Sequence, residues 1–337
     1  MSLSGESSLD EIHDKVGNTE PRVSSAGSDI LLCTGYSEDY TIGHLTSYVN
    51  QQYAQQHGYQ YYEEVLSYED MLRLISPCSH CTWYKVYLIR RLLEYQRGKR
   101  RTNEDSSSSF SDLKPFYYVL WLDADAMVID PSICIEDILH RAEYKPLILA
   151  ENMNSGFLIN AGVLLISTSD WSFDLWNEVW NSTKYAQVLF YEQSALLQAL
   201  KTRKEGLLQM NPFHSFMGGP EKKAFKHVFV LNHMDFNSNR GWIFPKQSLR
   251  NKIISDSLED VSTNVKKEDG HYSVHEGEAE DDCARFIYHA AGVRNKMAAL
   301  KGMLQLKGMI VPDENLTKVG NFRLFRSSTG GIASVVQ

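Results

Sequence analysis

The fold is constrained above all by three near-continuous apolar runs, which are DILLCTGY (29–36), FYYVLWL (116–122) and GFLINAGVLLIS (156–167). These runs do not alternate between apolar and polar residues. A strand covered by helices on both faces of a sheet has such a composition, whereas a strand with one solvated face alternates. The sequence therefore predicts buried strands, and the second of them runs directly into Asp123 and Asp125.

Segments with helical periodicity or cap signals lie between and after these runs. They are HLTSYVNQQYAQQH (44–57) before Gly58, TWYKVYLIRRLLEYQ (82–96), SDWSFDLWNEVW (169–180) with Ser169 or Asp170 as its cap, and YEQSALLQAL (191–200). Two later segments, HVFVLNHMDFN (227–237) and RFIYHAAG (285–292), are interpreted as strands. Alternation of strand and helix predicts an α/β fold with a mostly parallel sheet and helices on both faces, which binds ligands at the carboxyl ends of its strands.

Composition limits the classes of partner. The chain of 337 residues is 43% hydrophobic, which is enough for a sizeable packed core. Its net charge of -8 leaves no surplus of Lys and Arg for a nucleic-acid-binding face, so we expect no nucleic acid partner. The sequence contains no run of about 18 apolar residues and no apolar signal-peptide core near its start. We expect membrane contact only through an anchor that this sequence does not contain.

The pattern of strands and helices predicts a single domain over residues 29–310. Segments rich in Ser, Gly and charged residues, which cannot bury enough apolar surface to become ordered, flank or interrupt it. They are a disordered tail at 1–28, flexible insertions at 98–114 and 255–282, and a C-terminal tail at 311–337.

Asp123 and Asp125 are the first candidates for a chemical role. In an extended segment alternate side chains lie on the same side, so the two carboxylates are expected to converge while Ala124 points away. Two carboxylates at the end of an apolar strand repel each other and lose solvation unless a cation lies between them. Mg²⁺ and Mn²⁺ are suitable cations. An Asp-x-Asp triplet arises readily by chance, so the apolar strand before it carries the inference.

Several segments together resemble a known family. WLDADAMVID resembles the Asp-x-Asp signature of nucleotide-sugar glycosyltransferases with the GT-A fold, a Rossmann-like mixed sheet. The further segments resemble, in order, motifs of family 34, the retaining α-galactosyl, α-xylosyl and α-mannosyl transferases. They are NQQYAQQHGYQYY, TWYK, LINAGVLLISTSDWS, YEQSALLQAL and IYHAAG, and they span roughly residues 30 to 300.

The resemblance implies a metal site and a nucleotide-sugar donor. His289 would be the third protein ligand beside Asp123 and Asp125, and its imidazole favours Mn²⁺ over Mg²⁺. In the family the second aspartate usually contacts the metal while the first also serves the ribose, so Asp125 has the firmer metal role. The ion would bridge the two phosphates of a UDP- or GDP-sugar.

Further residues are implied to bind the donor. Thr34, Gly35 and Tyr36 would cradle the nucleoside, with Tyr36 stacking on the base. Lys85 would hold the sugar or the diphosphate as a point charge. Two other predicted contributions are close approach of a ligand at Gly162 and a phosphate contact from Lys296, with Arg294 nearby.

Three residues are implied to act on the donor sugar. Asn160 would hydrogen-bond sugar hydroxyls, and Glu192 and Gln193 occupy the place where retaining enzymes of this kind present a group to the β-face. Gln193 is a poor nucleophile, so internal return through an oxocarbenium-like transition state is favoured over a covalent intermediate, with Glu192 stabilising charge. Trp242, in a Gly/Asn/Pro loop, is a candidate contact for a glycan acceptor.

The predicted function is therefore transfer of a hexose or pentose from a nucleotide sugar to a glycan acceptor. Three alternatives stay open. One is a family-8-type retaining glycosyltransferase, although its Lys-Pro-Trp is missing here. Another is a haloacid-dehalogenase-like phosphatase, which also places Asp-x-Asp after an apolar strand, and the third is a non-catalytic sugar-nucleotide binder. The resemblance implies a location in the Golgi lumen, and the cytoplasm is the alternative.

Overall fold

A computed structural model describes residues 29–101, 110–152, 159–205, 222–238 and 284–311. Several predictions lie outside these residues. They are the tail at 1–28, the insertion at 255–282, nearly all of the tail at 311–337, and Trp242. No helix in the described ranges is both long and apolar enough to cross a bilayer.

Nine strands and eight α-helices are formed by the described residues. The strands are β1 (Ile30–Ser37), β2 (Gln60–Leu66), β3 (Tyr118–Leu122), β4 (Ala126–Val128), β5 (Leu147–Glu151), β6 (Ile159–Ser167), β7 (Lys222–Ala224), β8 (Val228–Leu231) and β9 (Ile287–His289). The helices are α1 (Thr41–His57), α2 (Tyr68–Leu74), α3 (Trp83–Arg101), α4 (Ile135–Arg141), α5 (Asp170–Asn181), α6 (Tyr191–Thr202), α7 (His233–Phe236) and α8 (Lys296–Leu306), with a 3₁₀ turn at Thr183–Tyr185.

Seven strands form one sheet in the order β2-β1-β3-β6-β5-β8-β7. β1, β2 and β3 are parallel to one another, and β6 is antiparallel to both of its neighbours, β3 and β5. β8 is parallel to β5, and β7 is antiparallel to β8. Five strands therefore run in one direction and two in the other, which confirms the prediction of a mixed, mostly parallel sheet.

The large sheet is covered on both faces. Along β3, Val119 and Trp121 point into a core shared with α3, α5 and α6, while Leu120 and Leu122 point into a second core shared with α1 and α4. All five β3 residues are buried. The continuous apolar composition of this strand thus follows from helices packing on both of its faces, as predicted.

A small second sheet extends the fold beyond β3. It consists of β4 and β9, which pair in antiparallel fashion. A third core, which includes Val49 from α1, Met127 from β4, Tyr288 from β9 and Leu300 from α8, holds this sheet against the two helices. The last described helix is therefore packed close to the end of β3.

The capping residues predicted from the sequence lie at the ends of two helices. Ser169 caps α5 by accepting a hydrogen bond from the Ser172 N–H, and Gly58 ends α1 in the left-handed conformation, with φ of 71°. Two predictions differ from the structure. Segment 98–114 begins within α3 and includes the buried Phe110 and Leu113, while 102–109 lie outside the described residues.

The second difference concerns HVFVLNHMDFN, which was predicted as a strand throughout. Only its first part is strand β8, and the chain then enters the short helix α7. The cause is Asn232, whose side-chain oxygen accepts from the Met234 N–H and so provides a helix cap.

Asn50 provides a test of how the small sheet is held. Its side chain is 1% exposed; Nδ2 donates to the Ala126 carbonyl and Oδ1 accepts from the Val128 N–H, each over 2.9 Å. Asn50→Ala leaves both groups of β4 unpaired, and we expect the free energy of unfolding to fall by about 2 to 4 kcal/mol in urea denaturation. Gln52→Ala, at an exposed position of the same helix, is the control and should change it little. Equal stability of the two variants would contradict this role.

Candidate active site at the end of the third strand

Asp123, Ala124 and Asp125 form a turn, so the prediction of an extended segment is wrong. The Ala126 N–H donates to the Asp123 carbonyl over 2.8 Å, and Thr46 Oγ1 donates to the Ala124 carbonyl over 2.7 Å. The chain must change direction here because it leaves the large sheet at the end of β3 and enters the small sheet at β4. The two carboxylates nevertheless reach the same point.

Strand β9 brings His289 to both aspartates. Ala126 pairs with His289 across the small sheet, and the Ala290 N–H donates to the Asp125 carbonyl over 2.9 Å. His289 Nε2 lies 3.1 Å from Asp125 Oδ1 and 3.9 Å from Asp123 Oδ2. Ligand atoms of these three side chains lie within 4.8 Å of one another, and no other such His/Cys/Asp/Glu group of three or more occurs in the described part of the chain.

Gly162 leaves the space that the His289 ring occupies. The Asp123 N–H donates to the Gly162 carbonyl over 2.8 Å, which continues the β3–β6 pairing up to the turn. A Cβ atom at position 162 would lie 2.0 Å from His289 Cε1, far inside van der Waals contact. The close approach predicted for a ligand at Gly162 is therefore made by an imidazole of the protein itself.

Asp125 is a buried carboxylate with two cationic or hydrogen-bonding partners. Its Oδ2 accepts from Lys296 Nζ over 2.5 Å, and Lys296 also donates to Tyr40 Oη over 3.2 Å. Burial raises the pKa of Asp125, but the charges and hydrogen bonds of His289 and Lys296 lower it by more, so the pKa lies well below its usual range. Asp125 is therefore ionised at neutral pH and suited to bind a cation.

Lys85 lies deeper in the site than a donor-binding lysine was expected to lie. Its side chain is 4% exposed, and Nζ lies 3.0 Å from Asp123 Oδ1, 3.2 Å from Glu192 Oε1 and 2.7 Å from the Ala161 carbonyl. Burial lowers the pKa of Lys85, whereas Asp123 and Glu192 raise it by more, so the ammonium stays charged. An ammonium has three N–H donors, and three acceptors of the protein are already within reach.

The start of β6, rather than its end, lies at the site. Because β6 is antiparallel to β3, its first residues lie beside the last residues of β3. The backbone here is held by side chains of the site: the Ala161 N–H donates to Gln193 Oε1 over 2.9 Å, and the Gly162 N–H donates to Asn160 Oδ1 over 2.8 Å. This pairing brings Asn160 and Gln193 to the aspartates.

Glu192 and Gln193 follow a strained stretch of backbone. Phe190 and Tyr191 have positive φ angles of 67° and 43°, which residues other than glycine rarely adopt. Such strain is found preferentially at functional sites. Glu192 is buried, lines the cavity described below, and has an Oε2 without a hydrogen-bond partner.

One cavity of about 510 Å³ joins these groups. Eleven of the residues predicted from the sequence line it, and they are Gly35, Tyr36, Lys85, Asp123, Asp125, Asn160, Gly162, Glu192, Gln193, His289 and Lys296. Thr34 does not line the cavity; its side chain is buried and its hydroxyl has no hydrogen-bond partner. The carboxyl ends of β1 and β3 therefore open into this cavity, as expected for an α/β sheet.

Tyr36 offers little surface to a ligand. It is 4% exposed, its ring packs against Gly43, and its hydroxyl hydrogen-bonds to Glu63. Tyr40, in the short segment between β1 and α1, lines the cavity and is only half-buried. Tyr40 was not predicted from the sequence, although it also follows the buried run at 29–36.

Two other residues of the site were not predicted. Trp121 donates its indole N–H to Asp123 Oδ1 over 2.7 Å and so fixes that carboxylate. Asn237, which lines the cavity, has its Oδ1 2.6 Å from His289 Nδ1. Trp121 reads in the sequence as a core residue, and Asn237 follows a short helix without any motif, so neither carries a recognisable signal.

The three clustered side chains fit a divalent metal. Two carboxylates and one imidazole form a donor set that Mn²⁺ accepts, and Gly162 leaves room for the imidazole. Asp125 Oδ1 and His289 Nε2 approach to 3.1 Å. If the imidazole is neutral with its proton on Nδ1, both atoms are acceptors, and a cation is the natural partner for them.

Comparison with known proteins gives no match to any family model and no match to a curated protein. Among solved structures, the chain is similar to a glycosyltransferase involved in glycosylation of the major capsid of PBCV-1, with 15% identity, 80% and 98% coverage of this chain and that chain, and a TM-score of 0.44. It is also similar to the galactosyltransferase LgtC, with 14% identity, coverage of 84% of this chain and 98% of that chain, and a TM-score of 0.39. A third similar structure is mouse xyloside xylosyltransferase 1, with 9% identity, coverage of 79% and 98%, and a TM-score of 0.34. At these values the likenesses alone assign no activity.

Gly162→Ala tests the geometry of the three clustered side chains. The added methyl group must push the His289 ring away from Asp123 and Asp125, so we expect Mn²⁺ affinity measured by calorimetry to fall about 10-fold or more. Gly98→Ala is the matched control, because a Cβ atom there meets nothing within 4 Å. Wild-type Mn²⁺ affinity in Gly162→Ala would show that His289 does not need this space.

Proposed function

We propose that this chain is a metal-dependent, retaining glycosyltransferase of GT-A type, which transfers a hexose or pentose of the galactose, xylose or mannose class from a UDP- or GDP-sugar to a glycan acceptor. The observation that carries the proposal is the cluster of Asp123, Asp125 and His289 in a cavity that also contains Glu192 and Gln193. The family-34 motifs predicted this combination from the sequence.

The nucleotide end of the donor is assigned to the end of β1, the segment that follows it, and α8. Gly35 and Tyr36 border the cavity at the end of β1, and Tyr40 is the aromatic ring with more exposed surface for a base. Lys296 is partly exposed and is the ammonium best placed to contact a phosphate. A divalent ion held by the Asp–Asp–His cluster would neutralise charge on the leaving nucleoside diphosphate.

The sugar end of the donor is assigned to Asn160, Glu192 and Gln193. Glu192 lines the cavity, and its carboxylate would stabilise a developing positive charge at the anomeric carbon or contact a sugar hydroxyl. Gln193 Oε1 already accepts from the Ala161 N–H, which makes a nucleophilic role for Gln193 less suitable. Retention by internal return therefore remains the preferred route, with Glu192 stabilising the oxocarbenium-like transition state.

Lys85 is assigned a supporting role, because its ammonium is buried between Asp123 and Glu192. It would bridge these two carboxylates and offset their mutual repulsion. The resemblance to family 34 is also the basis for proposing the Golgi lumen as the location, with the cytoplasm as the alternative.

A donor panel tests the transferase. Incubation with Mn²⁺ and a set of UDP- and GDP-sugars, followed by measurement of nucleotide release, should identify one preferred donor whose turnover is lost on chelation. Asp125→Asn removes a metal-ligand charge and should lower release about 100-fold or more. Asp174→Asn, on the exposed face of α5, is the matched control and should leave release unchanged.

Two outcomes would redirect the assignment. Uniformly low release that Asp125→Asn does not alter would rule out the transferase, and phosphate release from p-nitrophenyl phosphate would favour the phosphatase. With a donor identified, NMR of the anomeric proton of the product tests retention. Inverted configuration would contradict the roles given to Glu192 and Gln193.

A further inference from the structure

Asn160, Asn237 and His289 form a chain of hydrogen bonds that begins at the backbone. The Gly162 N–H donates to Asn160 Oδ1 over 2.8 Å, Asn237 Nδ2 donates to the same oxygen over 2.8 Å, and Asn237 Oδ1 lies 2.6 Å from His289 Nδ1. Asn237 and His289 are each 5% exposed. The contact between Asn237 and His289 is therefore buried, whereas Asn160 is partly exposed.

The direction of every bond in this chain is fixed by its first member. A backbone N–H can only donate, so the Asn160 atom that faces Gly162 must be the carbonyl oxygen. That oxygen accepts only, so Asn237 must turn its amide nitrogen towards it. The Asn237 oxygen then faces His289, and the ring nitrogen Nδ1 must carry the proton.

We infer that Asn237 and Asn160 are positioning residues that keep a proton on His289 Nδ1, so that Nε2 can present its lone pair to a divalent cation held between it and Asp125. The ring nitrogen that bears the proton is set by the hydrogen bond of the other nitrogen. This inference rests on the metal site of the proposed function. It adds Asn237 to the site and gives Asn160 a task beyond contact with sugar.

The two asparagines differ in what a substitution removes. Asn237→Ala removes the acceptor for the His289 Nδ1 proton. Asn160→Leu keeps Asn237 but removes the oxygen that orients its amide, so the amide is free to flip. Asn160→Asp retains an oxygen that accepts from both the Gly162 N–H and Asn237, and it should therefore preserve the chain.

The tautomer can be read directly by long-range ¹⁵N–¹H NMR of histidine-labelled full-length protein without metal, at a pH where imidazole is neutral. The comparison is made in an Asp125→Ala background, because the Asp125 carboxylate, 3.1 Å from Nε2, competes for the ring proton. The His289 signals are identified by their loss in His289→Gln. We expect the wild type and Asn160→Asp to carry the proton on Nδ1. Asn237→Ala and Asn160→Leu should shift the ring towards the Nε2-protonated form.

Mn²⁺ affinity by calorimetry supplies a second readout. We expect a loss of about 10- to 100-fold in Asn237→Ala and Asn160→Leu, and wild-type or tighter binding in Asn160→Asp. Asn181→Ala, at an exposed position at the end of α5, is the control. If Asn237→Ala proves too unstable to fold, the contrast between Asn160→Leu and Asn160→Asp carries the test.

The inference is overturned if wild-type His289 carries its proton on Nε2, or if Asn160→Leu keeps both the wild-type tautomer and the wild-type Mn²⁺ affinity. Failure of the proposed function looks different. A wild type that keeps the Nδ1 tautomer but releases no nucleotide from any sugar donor would overturn the transferase and leave the inference standing.

Discussion

The site depends on the antiparallel pairing of β3 with β6. This pairing puts the first residues of β6 beside the last residues of β3, and the hydrogen bond from the Asp123 N–H to the Gly162 carbonyl is its last link before the turn. If β6 were parallel to β3, the last residues of both strands would lie side by side. The reversed strand instead supplies a side chain, Asn160, and a gap above Gly162 to the edge where the aspartates emerge. His289 fills that gap.

Charge is the second organising constraint. Asp123, Asp125 and Glu192 share one cavity, and carboxylates at such spacing repel one another unless they are paired. Two lysines provide the pairing. Lys85 lies between Asp123 and Glu192 and is buried, whereas Lys296 contacts Asp125 from the cavity wall and is partly exposed. The buried Lys85 is thus suited to hold the two carboxylates beside it in place. The partly exposed Lys296 is suited to leave Asp125 and contact a ligand instead.

The sequence was most informative where periodicity or a motif reports directly on burial. The apolar run before Asp123 predicted a strand with two covered faces, and eleven of the fourteen residues predicted from the sequence line one cavity. Thr34 and Arg294 do not line it, and Trp242 lies outside the described residues. The detailed geometry of the site could not be predicted from the sequence to the same extent. The turn at Ala124 depends on the switch between two sheets, which periodicity does not report, and the exposure of Tyr40 over Tyr36 depends on Gly43 packing under the Tyr36 ring. Asn237 acts through a chain of contacts that exists only after folding.

The pairing of β4 with β9 affects when the site can form during folding. Asp125 and His289 are 164 residues apart in the chain, and the antiparallel register of two three-residue strands brings them together. Contacts between such distant segments carry a large loop-closure entropy and tend to form late in folding. β1, β2 and β3 are synthesised long before β9, so a nascent chain can build much of its large sheet while the imidazole is still missing. Only molecules in which β9 has paired with β4 can therefore bring His289 to Asp125.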